Sequence, residues 1–288
     1  MPVSTINTNI GSYAALGNLR TIQEQLDAVT KQVSTGYIVA DALDNGAVFG
    51  VAQSVRAQIS GSIASNQELG NFIGTVQTTA AASTGISNTL SEIRAVLTHI
   101  ANPFQDKISL EQYQEQFASL CESLITYRNS GNYNGTNLLS TNNSLSVLQD
   151  AQGTLLIING RDYNIASALS GILTGGTGVN VLASNASVVA NSTNAASCLM
   201  QNGVFLTVVG SVSSVLNRIG ALNNRTSMQQ DFNTTVQNAL STGLGSLVDA
   251  DMAADSARLT ALQVKQQLAT QSLSIANQNP NTLLKLFQ

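Results

Sequence analysis

Proline is scarce and widely spaced in this chain of 288 residues. Its three prolines are Pro2, Pro103 and Pro280, so two long stretches contain none. A proline inside a helix removes a backbone hydrogen bond and clashes with the preceding turn, at a cost of about 3 kcal/mol. The spacing of the prolines therefore permits very long helices.

Near the N-terminus, large apolar residues recur in alternating steps of three and four. They are Leu19, Ile22, Leu26, Val29 and Val33. This spacing is typical of a single apolar seam along a helix. Gly36 follows, and glycine is common just beyond a helix end because it adopts the left-handed conformation without strain. The pattern predicts a helix with its C-cap at Gly36.

Further apolar seams predict two more helices before residue 130. The first runs from about 46 to 100 and ends before Asn102 and Pro103. Its apolar positions keep helical spacing: Val55, Ile59, Ile63, Leu69, Ile73, Val76, Ala80, Ile86, Leu90, Ile93 and Leu97. The next helix carries one apolar face: Leu110, Tyr113, Phe117, Leu120, Cys121 and Leu124.

The character of the chain changes over residues 129–217, which hold only three charges, Asp150, Arg161 and Asp162. The apolar residues 155–158, and Tyr163 and Ile165 within 163–165, flank an Asn-Gly pair, the strongest short signal for a β-hairpin turn. We therefore predict a hairpin that turns at 159–162. Residues 170–203 are of low complexity and rich in turn-forming residues.

Helical spacing returns towards the C-terminus in two segments. The first carries Val204, Val208, Val212, Val215, Ile219 and Leu222. The last helix carries two stripes, one of Leu259, Leu262, Ala269, Leu273 and Ala276 and one of Ala261, Val264, Leu268 and Ile275. So wide an apolar face is unstable on an isolated helix in water and must pack on something.

These elements predict a mainly α fold with a small β portion. Both chain ends form a long antiparallel helical bundle or coiled-coil rod, and the hairpin and variable middle region are inserted between them. We predict one domain from 1–40 plus 247–288, a second from 41–140 plus 204–246, and a third over 141–203.

Composition excludes several classes of function. A net charge of −4 and a pI near 4.9 argue against nucleic-acid binding, which needs basic residues to replace phosphate counterions. No apolar run approaches the ~18 residues of a transmembrane helix, so no membrane partner is expected. One His and two Cys cannot form a four-ligand zinc site, and we predict neither a cofactor nor catalysis.

The N-terminus shows no Sec signal, since it lacks a basic region, an apolar region and a cleavage site. Taken alone, this indicates a cytosolic protein.

Cys121 lies on an apolar helical face and is interpreted as buried and unreactive. The alternative, a Cys121–Cys198 disulfide, would suit an extracellular protein. His99, the single histidine, is interpreted as a surface residue near a helix end.

Three groups of residues resemble bacterial flagellin, the subunit of the flagellar filament. The most specific lies near the C-terminus: LVDADMAADSA at 247–257, LQVKQQL at 262–268, SIANQ at 274–278 and LLKLF at 283–287. The second is YNGTNLL at 133–139, and the third joins INTN at 6–9 with QVSTG at 32–36. The resemblance covers roughly 1–140 and 204–288, but not the middle of the chain.

The resemblance implies a structural subunit that self-assembles into the filament for swimming motility and is not an enzyme. The terminal domain would form the inner tube of the filament. The implied route is secretion through the flagellar export channel to an extracellular filament. Implied partners are further copies of the chain, the export apparatus, an export chaperone, the filament cap and the hook-junction proteins.

The resemblance also assigns intersubunit contacts to the apolar residues of both terminal helices. The predicted assembly residues are Ile6, Ile10, Leu19, Ile22, Leu26, Val29, Val33, Leu259, Leu262, Val264, Leu268, Leu273, Ile275, Leu283, Leu284, Leu286 and Phe287. The stripes of the other helices are interpreted as ordinary intramolecular core.

Two departures from the family pattern concern charge. Ile38 stands where the family usually has a basic residue, two positions after Gly36. Some flagellins are recognised by a Toll-like receptor through a stretch like Arg-x-Arg-Glu-Leu, and here the matching residues include Glu92, Arg94 and Val96. Because Glu92 reverses a charge, we predict weak activation of the receptor.

Three alternatives remain open from the sequence. Ser184, Ser187, Ser192 and Thr193 could carry O-linked glycans, or the middle region could be an unmodified polar surface. The protein could be a minor homologue at the hook–filament junction. An enzyme displayed on a filament is disfavoured by the shortage of His, Cys and paired acids.

Overall fold

Long helices account for most of the computed structural model, which describes residues 9–140, 142–173, 192–200 and 203–286. The longer helices are α1 (Ile10–Thr35), α2 (Ala42–Ile100), α3 (Lys107–Ser130), α6 (Val204–Val248) and α7 (Met252–Leu286). Two short helices, α4 (Ala166–Leu173) and α5 (Ser192–Leu199), lie between them in sequence. The predicted mainly α fold is confirmed.

The predicted helix ends agree with the structure where a cap defines them. Gly36 ends α1 in the left-handed conformation with φ 74°, and its N–H donates to the carbonyl of Gln32. In α2, Asn45 is non-helical at φ −161° and ψ 98°, and its side chain accepts from the N–H of Val48. The uninterrupted part of α2 therefore starts close to the predicted residue 46. α7 continues through Pro280 to Leu286, beyond the predicted apolar stripes.

The hairpin prediction has one correct strand and one wrong strand. β2 (Leu155–Ile158) pairs antiparallel with β1 (Leu145–Leu148), not with residues 163–165. The turn lies between Gln149 and Thr154 and contains Gly153 at φ 90°. Residues Gly160–Asp162 form a 3₁₀ turn instead, because the following Ile165 is buried and its N–H donates to Leu139.

The chain divides into two compact units. The terminal unit comprises residues up to Ala57 and from Asn238 onward, and the central unit is Gln58–Gln237. The division falls inside α2 and α6, away from the domain bounds that the sequence suggests at 40 and 247. The predicted bounds at 40 and 247 separate segments by their expected role in assembly, and that division remains a prediction.

The central unit holds one continuous apolar core. Buried side chains from α2, α3, the hairpin and α6 meet there, including Ile93, Phe117, Leu156 and Phe205. Residues from each of the stripes predicted for α2, α3 and α6 contribute to it, whereas Ile63 of the α2 stripe is 41% exposed. Burying each large apolar side chain contributes about 1.5–3 kcal/mol.

The YNGTNLL motif forms a tight turn that closes this core. Asn134 and Gly135 take positive φ values of 47° and 79°, and Tyr133 and Thr136 exchange both backbone hydrogen bonds. Leu138 and Leu139 follow the turn and pack in the core, where both are fully buried.

Two glycines of α2 allow tyrosines to pack directly on its backbone. A Cβ at Gly74 would lie 2.7 Å from the ring of Tyr133, and one at Gly85 would lie 2.8 Å from the ring of Tyr127. Glycine is required at these places because any side chain would displace the ring.

Within the described residues, one segment, Ser192–Val248, which contains α5 and α6, is long and apolar enough to cross a membrane by length and composition alone. A core helix of a soluble protein passes the same test. Here the apolar stripe of α6, from Phe205 to Leu222, packs in the core of the central unit.

Candidate assembly surface

The two terminal helices pack against each other in antiparallel orientation. At one end, the Asn9 side-chain amide donates to the carbonyl of Ala276 at 2.8 Å, and the Ser12 hydroxyl donates to the Asn277 side chain at 2.7 Å. Further along, Val29 and Leu262 are both buried, with 4% of each exposed. The last residue of the INTN motif therefore meets the SIANQ motif in space.

The first predicted stripe of each helix lies along this contact. On α1, Leu19, Ile22, Leu26 and Val33 are half-buried on the same side as Val29. On α7, Leu259, Ala269, Leu273 and Ala276 are half-buried on the same side as Leu262. We call this contact the α1–α7 seam.

The second stripe of α7 faces away from the seam. Val264 is 49% exposed, Leu268 64% and Ile275 55%, and Ala261 is exposed as well. On α1, Ile10 is 61% and Tyr13 69% exposed. Single exposed apolar residues are ordinary, but a stripe of them on one helix face marks an interaction surface. Tyr13 was missed from the sequence, although its spacing of three from Ile10 places both on one face.

Several predicted residues lie outside the described side chains. Ile6 and Phe287 are in segments that the structure does not describe. Leu283, Leu284 and Leu286 belong to the last turns of α7, whose backbone alone is described. Of the predicted glycan carriers, Ser184 and Ser187 fall outside the described residues, Ser192 is half-buried and Thr193 is exposed.

The connections on either side of the seam are joined by backbone hydrogen bonds. The N–H of Ile38 donates to Val248 at 2.8 Å, and the N–H of Ala250 donates to Gly36 at 2.9 Å. Tyr37 and Asp249 thereby form an isolated antiparallel bridge. Ile38 itself is 49% exposed, so the charge that the family usually carries there would stand in solvent.

A charged triad fixes the start of α2 to the end of α1. Lys31 bonds Asp41 at 2.7 Å and Asp44 at 2.6 Å. The two aspartates also cap the helix reciprocally, because each accepts a backbone N–H from the other residue. The hydrogen bonds from Lys31 hold the pKa of both carboxyl groups below the ordinary value of 3.8.

A groove opens on the surface beside the seam. It encloses about 410 Å³, and its lining includes four small or apolar side chains, Ala28, Val29, Ala261 and Leu262. Its remaining lining is polar: Gln25, Gln32, Arg258 and Lys265. The sequence offers one clue to it, since Arg258 and Lys265 are seven residues apart and so share one side of α7.

The predicted receptor-like residues on α2 differ in their exposure. Glu92 and Arg94 are exposed, but Val96 is buried in the core of the central unit. His99 is exposed in the last turn of α2 and stacks on Tyr113 with ring centres 4.8 Å apart, as expected for a surface residue near a helix end.

Both cysteines are free thiols. Burial raises the pKa of Cys121 to about 12, so this thiol stays protonated and unreactive at neutral pH. The interpretation of Cys121 as a buried, inert cysteine is confirmed, and the structure contains no Cys121–Cys198 bridge.

Comparison with known proteins identifies both ends of the chain. Residues 6–144 match the family model described as the bacterial flagellin N-terminal helical region. Residues 206–287 match the model described as the bacterial flagellin C-terminal helical region. These ranges contain α1, α2, α3, nearly all of α6 and α7.

Curated relatives match along the whole chain. "Flagellin FljM" of Caulobacter vibrioides is 28% identical over 289 residues and covers 100% of both chains. "Flagellin FljJ" of the same organism is 30% identical, covering 99% of this chain and 98% of its own. A solved flagellin from Bacillus cereus gives a TM-score of 0.46 at 18% identity, covering 58% of this chain and 88% of that one. The two family models and the relatives that match over the full length show that the chain belongs to the bacterial flagellin family.

Proposed function

We propose that this flagellin polymerises through the faces of α1 and α7 that the α1–α7 seam leaves uncovered. As a member of its family, the protein is a structural subunit that self-assembles into the extracellular filament of the bacterial flagellum, and it is not an enzyme. The observation that carries the finer proposal is the exposed stripe of Val264, Leu268 and Ile275 on α7.

This proposal divides the predicted assembly residues into two groups. Seam residues, such as Ile22 on α1, hold the helix pair together. Ile10, Val264, Leu268 and Ile275 make the contacts between subunits. Each such side chain that leaves water contributes about 1.5–3 kcal/mol. Several per subunit offset part of the cost of ordering the helices, which is why folding of this unit and assembly are coupled.

The test is a charge placed in the outward stripe. We expect Leu268→Asp to abolish seeded polymerisation, because a buried unpaired carboxylate is strongly unfavourable in an apolar contact. Gln267→Asp is the matched control, since Gln267 is also exposed on α7 and receives the same new side chain one position away. Polymerisation of Leu268→Asp at the wild-type critical concentration, with unchanged monomer circular dichroism, would contradict the proposal.

The filament itself, rather than the hook–filament junction, is the proposed location. The relatives that match the whole chain are named flagellins, and this favours the filament subunit. Fluorescent labelling should show the protein along the entire filament. Label confined to the filament base would indicate a junction protein.

We also propose that the subunit follows the family's export route. It would leave the cell through the flagellar export channel with help from an export chaperone, and would add to the filament beneath the cap beyond the hook-junction proteins. Family membership supports this route. In a strain without the flagellar export apparatus, the protein should accumulate inside the cell, whereas continued secretion would overturn the proposal.

Weak receptor activation is a separate proposal about the surface of α2. Arg94 and Glu92 are both exposed, so an approaching receptor meets a negative charge beside the arginine. Like charges facing each other across an interface are unfavourable. A reporter-cell assay should show low potency, and Glu92→Arg should raise it. Full potency of the unmodified protein would refute the proposal.

O-linked glycosylation is a further proposal for the middle region of the chain. Thr193 is exposed and Ser192 is half-buried, so a hydroxyl at the start of α5 can be reached by a modifying enzyme. The intact mass of subunits from native filaments measures the modification. A mass equal to that of the bare chain would show that the middle region is an unmodified polar surface.

A further inference from the structure

We propose that the groove beside the α1–α7 seam binds the acidic face of a second copy of the chain. In this arrangement Arg258 and Lys265 on α7 of one subunit meet Glu24 and Asp27 on α1 of the next. The inference rests on the proposed polymerisation and adds the polar contact that fixes how neighbouring subunits align.

The lining of the groove combines two cations with small and apolar side chains. Arg258 and Lys265 are two helical turns apart, and both line the same opening of about 410 Å³. Arg258 approaches Asp255 only at 4.0 Å and remains largely exposed. Lys265 makes no ion pair within the part of the chain that the structure describes. The groove is therefore basic and only partly neutralised.

The matching anions lie on the outer side of α1. Glu24 and Asp27 are exposed and three residues apart, so they are neighbours on one helix face. Neither forms an ion pair with any described residue. Of the two cations one turn away, Lys31 is already bonded to Asp41 and Asp44, whereas exposed Arg20, four residues before Glu24, forms no ion pair with a described residue and leaves this face acidic by one net charge.

A second copy is the occupant that these charges favour. The acidic face and the basic groove are different surfaces of the same unit, so a contact between them is head-to-tail. Such a contact leaves one subunit with a free acidic face and the other with a free groove, so further copies can add at both ends, and an open helical polymer forms where the rotation does not close a ring. A self-complementary contact would instead close at a dimer.

The charges should act mainly on alignment and on the rate of addition. Charged groups at the rim of an interface steer association and penalise wrong registers more than they add to affinity. The apolar stripe of α7 would supply the affinity, because Leu268 and Ala261 lie on the same side of the helix as Lys265.

The experiment is a charge swap in the full-length chain. Lys265→Glu and Asp27→Lys should each raise the critical concentration for seeded polymerisation at low ionic strength by at least about tenfold, since each brings like charges together. The double variant Asp27→Lys with Lys265→Glu should return close to wild type. A mixture of the two single variants should copolymerise, because alternating subunits restore opposite charges.

Lys107→Glu is the matched control, since this exposed lysine on α3 undergoes the same change of charge away from the groove. Circular dichroism of each monomer, compared with that of the wild-type monomer, shows whether a substitution alters the fold of the free chain. Single variants that polymerise like wild type, or folded double variants that are not rescued, would overturn the inference. If those results occur while Leu268→Asp still fails to polymerise, the inference alone falls and the proposed function stands.

Discussion

The central unit and the terminal unit use similar helices but bury very different amounts of apolar surface. Among the described residues, the central unit contains a single cluster of 28 buried apolar residues. The terminal unit has a small cluster of Val39, Ala52 and Val248, together with Val29 and Leu262 on the seam. A helix gains most of its stability from packing, not from propensity. We therefore expect the central unit to be stable on its own and the terminal unit to gain part of its stability from neighbouring subunits in the polymer.

Removal of α7 tests this difference most severely. A chain that ends at Val248 loses the entire α7 side of the seam, and we expect it not to polymerise at all. The central unit should keep its fold, because its core contains no residue of α7. Electron microscopy and thermal denaturation followed by circular dichroism measure the two properties. Filaments from the truncated chain would show that the terminal unit is dispensable.

A core substitution tests the self-sufficiency of the central unit. Phe205→Ala should lower the free energy of unfolding by about 3–5 kcal/mol, because Phe205 is only 1% exposed. Phe232→Ala is the matched control on the same helix, where the ring is 61% exposed and the loss should stay below about 1 kcal/mol. Chemical denaturation of the monomer gives both values. Equal losses would mean that the core does not dominate stability.

The glycines under the tyrosines allow a finer test of packing in the central unit. Alanine favours a helix by about 1 kcal/mol over glycine, so Gly70→Ala should stabilise the protein, given that its nearest neighbour is a Gln230 side chain at 3.7 Å. At Gly74 the new methyl group would lie 2.7 Å from Tyr133 and displace the ring. We expect Gly74→Ala to be less stable than Gly70→Ala by about 1–2 kcal/mol, as measured by thermal denaturation.

The Lys31–Asp41–Asp44 triad gives the terminal unit a weak dependence on pH. The pKa of each aspartate is lower in the folded protein than in the unfolded chain. Each aspartate therefore stabilises the fold at any pH above its ordinary pKa of 3.8, and this stabilisation is lost as the pH falls through the lowered pKa of the folded state. The hydrogen bonds to Asp41 and Asp44 raise the pKa of Lys31 above 10.5. The stabilisation that Lys31 provides is therefore lost only at a pH beyond that value. NMR titration should show both aspartate pKa values rising in Lys31→Gln. No change would mean that the triad is not formed in solution. Lys107→Gln serves as the control.

Helices were easier to predict from the sequence than the strand pairing or the groove. The α2 seam repeats over many turns, so local spacing alone identified it. Asn159 and Gly160 carry a strong hairpin signal, yet the burial of Tyr163 and Ile165 takes the following residues into the core instead. The groove was missed because its lining comes from two helices far apart in sequence. Only the seam brings Gln25 and Lys265 to one opening.

The hydrogen bond between Asn9 and Ala276 joins residues 267 positions apart. The seam cannot close until almost the whole chain has been synthesised, and closing so large a loop makes it a late event in folding. A chain released early by the ribosome would lack α7, and with it both the outward stripe and the basic groove. Under the proposed mode of assembly, a chain that stops before α7 would lack the contacts needed for incorporation, so polymerisation would select against such truncated chains.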